Sequence, residues 1–168
     1  MKVTVIANIS ANGRLLTSDD PAYQLSKEAI NFYLQFANKV GNLVVGMKTF
    51  QDFLNFPQEV KDLFKEIEIV VLTNKPSLVE GYKFVNSPDK AIDYMAAKGV
   101  EEIAVGGGVG TFNAFLDQEL VTDIYFNINP LLTGGGGIIG TNKELNTKFK
   151  IINNQLNDGF IQLHLKKQ

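Results

Sequence analysis

Cysteine is absent from the 168 residues, which excludes a disulfide framework, a cysteine nucleophile, a zinc ribbon and an iron–sulfur cluster. Histidine occurs once, at His164. A Ser–His–Asp triad therefore has one possible centre, a poly-histidine metal site has none, and no metal is expected. Charge of one sign is lacking too: the formal net charge is −2, which argues against nucleic acid as a partner. No stretch approaches the roughly 18 apolar residues of a membrane span. Lys2 is followed by no apolar leader run or cleavage pattern, so an unprocessed cytoplasmic protein is expected. Hydrophobic residues make up 45% of the chain, enough for a core, and at roughly 150 residues per domain the length predicts one domain over 1–168. Chemistry must come from carboxylates, backbone groups or a borrowed cofactor.

Short apolar runs alternate with amphipathic stretches. Val3 to Ile9 is β-branched and closed by Asn12-Gly13. Ser18-Asp19-Asp20-Pro21 predicts a helix start, with Asp19 and Asp20 as capping residues, and the apolar spacing from Tyr23 to Val40 carries that helix to Gly41-Asn42. Leu43 to Val45, Ile67 to Leu72, Tyr82 to Val85, Glu102 to Val105 and Thr122 to Asn129 predict strands. Helical pieces are predicted over Thr49 to Leu54, Glu59 to Phe64, Ser87 to Lys98 and around Phe112, Phe115 and Leu116. Phe160 to Lys166 alternates cleanly, as an antiparallel or edge strand would, with His164 on its solvent-facing side. The whole predicts an α/β fold: three layers around a mainly parallel sheet, closed by antiparallel C-terminal strands.

Nine of the fifteen glycines fall between residues 106 and 140. Gly106-Gly107-Gly108-Val109-Gly110 follows a buried strand and opens a helix, where unpaired backbone N–H groups meet phosphates in parallel α/β sheets. The plainer alternative is a cramped strand-to-helix turn. The run fails the G-x-G-x-x-G signature because Thr111 stands where the last glycine should be. Gly46-Met47-Lys48-Thr49 imitates a P-loop but is preceded by a strand, so an NTPase is excluded, while Lys48 and Thr49 at a helix start suit a phosphate oxygen or an ordinary cap. Gly134 to Gly137 predicts a flexible hairpin or interface loop, with a lid as the functional alternative.

Four motifs in order, Val5-Ile6-Ala7-Asn8-Ile9-Ser10, Val45-Gly46-Met47-Lys48-Thr49-Phe50, Val70-Val71-Leu72-Thr73-Asn74-Lys75 and Ile103-Ala104-Val105-Gly106-Gly107-Gly108, resemble the dihydrofolate reductase superfamily. The tail from Leu120 to Gly135 is similar to its riboflavin-biosynthesis reductase branch. The resemblance implies an NADPH-dependent reductase of a pyrimidine or pteridine ring, acting as a homodimer. NADH stays open as coenzyme, because Met47 stands where that family usually carries arginine. The resemblance puts the diphosphate over Gly106, Gly107, Gly108, Val109, Gly110 and Thr111, with Ala7, Gly46, Lys48 and Thr49 nearby. It puts the adenosine ribose phosphate at Thr73, Asn74 and Lys75, and a cis peptide at Gly106–Gly107. Ile6 and Asn12 stand where the riboflavin branch commonly has lysine and aspartate, so a ribityl-phosphate substrate is not implied with certainty.

Proton handling points to Glu28, which shares a helix face with Phe32 at i, i+4 as in the folate branch; a solvated helix glutamate is the alternative. Asn8 and Asn127 are polar residues in apolar strands and, with Ile6 and Phe32, are the expected substrate contacts. A dihydrofolate reductase and a non-catalytic nucleotide-binding module remain the competing readings.

Overall fold

A computed structural model describes residues 1–17, 20, 23–75 and 77–168. The elements in chain order are β1 (Lys2–Ser10), α1 (Lys27–Val40), β2 (Asn42–Gly46), α2 (Met47–Leu54), α3 (Gln58–Asp62), β3 (Glu68–Leu72), β4 (Lys83–Val85), α4 (Pro88–Ala97), β5 (Glu102–Gly107), α5 (Val109–Asp117), β6 (Asp123–Asn129), β7 (Phe149–Asn157) and β8 (Phe160–Lys167). All eight strands join one sheet in the order β4-β3-β2-β5-β1-β6-β8-β7. Pairing is parallel from β4 to β6 and antiparallel from β6 through β8 to β7.

Period-two alternation sorts the central strands onto two faces. Val44, Val70 and Val105 pack with Met95 of α4 and Phe112 and Phe115 of α5. Leu43, Val45, Ile69 and Val71 pack on the other side with Phe36 of α1 and Phe50 and Phe53 of α2. Both faces are covered, which explains why these strands are continuously apolar. The expected three-layer α/β arrangement is present.

Local chemistry fixes the helix boundaries. Ser26 accepts a hydrogen bond from the Ala29 amide at 3.2 Å, and Gly41 closes α1 at φ 79°. The predicted start near residue 20 is thus corrected to Lys27, because the serine cap lies one residue before it. Asp20 and Tyr23 lie outside the helix, so Asp20 is not its cap. Ser18, Asp19 and Pro21 of the predicted start lie outside the described residues. Ser87 caps α4 by accepting from the Lys90 amide at 3.3 Å, with Pro88 at its first position.

Three further expectations change. β8 takes the antiparallel alternative and not the edge one; β7 pairs outside it. β7 carries no alternation because both its faces are exposed over most of its length, and its register shifts between Ile151 and Asn153. Gly134 to Gly137 form no hairpin. They belong to a long connection from β6 to β7 that folds back on the chain after β1, where the Leu15 amide donates to the Gly137 carbonyl at 2.9 Å and Arg14 bridges Ile138. The cis peptide is Gly107–Gly108, one position later than expected.

Candidate functional site

The parallel strands end at one edge of the sheet, and a cleft of about 1130 Å³ opens there. Its floor is Ile6, Ala7 and Asn8 of β1, Val45 and Gly46 of β2, and Gly106 and Gly107 of β5. α2, α4 and α5 start around it, α1 runs along one side, and Gly136 and Gly137 close another. The volume exceeds the usual range of about 300–1000 Å³ for a single-ligand pocket.

Glycine at the corner is dictated by close approach. A Cβ on Gly46 would stand 2.7 Å from Thr111 Oγ1, and one on Gly106 would strike the Tyr33 hydroxyl and lie 2.7 Å from Leu43 Cδ1. Gly107 has φ +116°, a conformation that side chains rarely adopt. A Cβ on Gly110 would meet nothing within 4 Å, so this position faces open space.

Two helix starts at this corner differ from those elsewhere. α1 and α4 carry serine caps, whereas α2 begins at Gly46 and α5 at Gly108 with no side-chain cap. The five-residue α3, away from the corner, also lacks one. The first N–H groups of a helix have no intrahelical partner. At Gly46 and Gly108 they are left to whatever occupies the cleft, and the helix dipoles make that region favourable to an anion. A diphosphate therefore fits the residues present.

Behind the floor stands a ladder of amides. Gln162 Nε2 donates to Asn127 Oδ1 at 2.9 Å, and Asn127 Nδ2 donates to Asn8 Oδ1 at 3.0 Å. Asn129 donates to the Asn127 and Ile9 carbonyls and accepts from the Tyr23 hydroxyl. Asn8 lines the cleft, and with its Oδ1 engaged, its Nδ2 is the atom left to a ligand. Tyr33 donates to the Gly106 carbonyl at 3.2 Å. Burial pushes its phenol well above the ordinary range, so it stays protonated and holds the strand rather than exchanging protons.

Of the residues singled out from sequence, Ile6, Ala7, Asn8, Gly46, Lys48, Thr49, Thr73, Asn74 and Gly106 to Thr111 all line the cleft. Four do not. Asn127 is fully buried one layer back and supports Asn8. Phe32 packs in an aromatic group 5.2 Å from Tyr125 and 6.0 Å from Phe36. Lys75 is exposed, its amide closing a turn on Thr73 Oγ1 at 3.2 Å. Glu28 is exposed outside the cleft. Ile30, Tyr33 and Leu34 present α1 to the cleft, and Glu28, two positions before Ile30, sits roughly 200° round the helix from it.

Sequence reasoning missed Tyr33, Leu34, Asp20, Phe56, Val60, Leu63 and Phe64, all of which line the cleft. Tyr33 and Leu34 looked like ordinary core on an amphipathic helix; no spacing distinguishes them. His164 is corrected from the solvent side: it is largely buried, stacks on Tyr125 with ring centres 4.2 Å apart, and meets the buried Asp123 carboxylate at 2.8 Å. Asp123 opens β6, at the end of the sheet opposite the cleft. Among the described residues no group of acids and histidine could hold a metal, and no helix is long and apolar enough to cross a membrane.

A cleft at the carboxyl edge of parallel strands, with a glycine corner feeding two helix starts, is the place where open α/β sheets take their ligands. The chain belongs to the RibD C-terminal domain family, whose model matches residues 1–158. It shares its fold with a candidate riboflavin biosynthesis protein from Shewanella sp. PV-4, at 20% identity and TM-score 0.76 over 100% of this chain and 99% of that one. A pyrimidine reductase-like protein from Corynebacterium diphtheriae is similar at 16% identity and TM-score 0.75, covering 99% of this chain and 92% of that one. No curated protein matches the chain.

Proposed function

We propose that this protein is an NADPH- or NADH-dependent reductase of a small pyrimidine- or pteridine-type ring, of the riboflavin-pathway reductase kind, working as a homodimer in the cytoplasm. The observation that carries the reading is the pair of helices, α2 and α5, that start uncapped at the glycine corner while α1 and α4 carry serine caps. Membership of the RibD C-terminal domain family supports the same chemistry.

A bound reduced nicotinamide would supply a hydride. The chain's own work is to bind, orient and exclude water. Main-chain amides at Val109 and Gly110 would hold the diphosphate, helped by the Thr49 hydroxyl. Tyr33, through the Gly106 carbonyl, keeps the corner in shape. Asn8 offers an amide donor to an acceptor on the ring. Lys75, which follows Thr73 and Asn74, is the cation available to a 2′-phosphate, since Lys48 lies 3.4 Å from Asp52. Asp20, which lines the cleft, is the carboxylate assigned to proton handling in place of Glu28.

The dimer reading rests on β7. It is nine residues long, unpaired on its outer side, and Ile151 and Leu156 are 63% and 81% exposed. A long apolar edge calls for a partner, and a strand of a second copy running antiparallel to it is self-complementary about a two-fold axis.

Coenzyme titration tests the reading. At 100 times Kd, NADPH or NADH stabilises the fold by about 2.7 kcal/mol, a rise in Tm of about 5–10 °C for a chain of this size. No shift with either coenzyme refutes the proposal. Binding of coenzyme without reduction of any ring substrate instead identifies a nucleotide-binding module, a reading that the exposed position of Glu28 favours.

A further inference from the structure

Asn8, Asn127 and Gln162 stand directly opposite one another on β1, β6 and β8. Opposed residues of paired strands share a face of the sheet. Three side-chain amides therefore form one row, from the cleft lined by Asn8 toward the outer strand β7. Gln155 of β7 is next in line, but it is exposed and its Nε2 donates along its own strand to Asn157 Oδ1 at 3.1 Å.

A side-chain amide has two unlike ends, an oxygen that only accepts and a nitrogen that only donates. All three point the same way. Gln162 Nε2 donates to Asn127 Oδ1 at 2.9 Å, and Asn127 Nδ2 donates to Asn8 Oδ1 at 3.0 Å. Turning Asn127 alone would set oxygen against oxygen at Asn8 and nitrogen against nitrogen at Gln162. Asn127 is fully buried, so both mismatches would go unpaired at full cost. Asn129 holds the main-chain carbonyl of Asn127, not its amide. The row thus turns together or not at all, and Gln162, its part-exposed end, is where its direction is set.

We propose that Gln162, two strands from the cleft, is a positioning residue that decides through Asn127 whether Asn8 offers a ligand a donor or an acceptor. With glutamine at the outer end, Asn8 presents Nδ2. Gln162→Glu leaves that end with acceptors only. Asn127 then turns to donate to the carboxylate, Asn8 donates to Asn127 Oδ1, and the cleft meets Asn8 Oδ1 instead. That the ligand is a ring rests on the proposed function; the relay among the three amides does not.

Proton exchange of the Asn8 side-chain amide, followed by NMR on the isotope-labelled full chain without ligand, tests the relay. In the parent these protons face the cleft and exchange freely. In Gln162→Glu they are bonded to Asn127 and exchange at least about tenfold more slowly, because exchange then requires local opening. Mere loosening of the sheet would speed exchange. Unchanged or faster exchange overturns the proposal.

Pterin and diaminopteridine, which carries an amino group where pterin carries a carbonyl, test the consequence by fluorescence titration. The parent favours pterin, and Gln162→Glu shifts the affinity ratio toward diaminopteridine by about tenfold or more, the worth of one mispaired group. Asn154→Glu adds the same charge at an exposed position on the opposite face of β7 and leaves the ratio within about twofold. A ratio unmoved by Gln162→Glu, or moved equally by Asn154→Glu, overturns the proposal. Slowed Asn8 exchange in a chain that binds neither ring removes the pteridine side of the proposed function and leaves the relay standing.

Discussion

Replacing Gly46 with alanine places one methyl group at the meeting point of β2 and the first turn of α5. The backbone tolerates it, since Gly46 has φ −79°. The space does not: the new carbon stands 2.7 Å from Thr111 Oγ1, about 0.7 Å inside ordinary contact. Thr111 is buried at 4% exposure, so its hydroxyl retreats only if the helix start moves with it. Overpacking of this kind costs about 1–3 kcal/mol. For a chain of this length that is a fall in Tm of about 3–10 °C. Because the displaced turn carries the amides assigned to the diphosphate, coenzyme affinity falls as well.

Two companion variants make the experiment decisive. Thr111→Ala removes the obstructing oxygen, so the double variant with Gly46→Ala recovers most of the loss, a coupling of about 1–2 kcal/mol in the double-mutant cycle. Gly110→Ala adds a methyl where nothing lies within 4 Å. It gains up to about 1 kcal/mol of helix propensity while projecting toward the coenzyme. Thermal melts and urea unfolding give the stabilities; nicotinamide fluorescence gives the affinities. A Gly46→Ala protein as stable as the parent, or a double variant no better than Gly46→Ala alone, refutes the close-approach reasoning.

Three other outcomes follow from the same structure. Glu28→Gln leaves turnover within twofold, whereas Asp20→Asn lowers kcat about tenfold or more with coenzyme affinity unchanged; steady-state kinetics with both variants decides, and the reverse pattern returns the role to Glu28. Asn127→Leu strands Asn8 Oδ1 and Gln162 Nε2 behind the floor, costing about 1–3 kcal/mol per unpaired group and raising KM for the ring; an unchanged melt shows that the amide ladder supports nothing. Leu156→Lys on the outer strand converts a dimer to a monomer in sedimentation, and a monomer before the change removes the dimer reading.

Much of the frame was written locally. Leu43 to Val45 and Ile103 to Val105 are apolar on both faces because parallel strands are covered on both sides, and that pattern is legible without any tertiary information. Gly41 and Gly99 mark helix ends by their left-handed conformation. The triple glycine announced the strand-to-helix corner where β5 ends and α5 starts. β7 escaped because a strand exposed on both faces imposes no periodicity, and the exposed position of Glu28 was not legible because i, i+4 spacing gives a face but not which way that face turns.

The sequence by itself determined the layered α/β frame and the glycine corner, since each follows from residue types and their short-range spacing. Tertiary structure alone decided that Asn127 serves Asn8 from behind, that Tyr33 anchors Gly106, and that Glu28 faces solvent while Asp20 faces the cleft. These depend on how elements 70 to 120 residues apart are rotated against each other, and that rotation is set by the packing of both sheet faces at once.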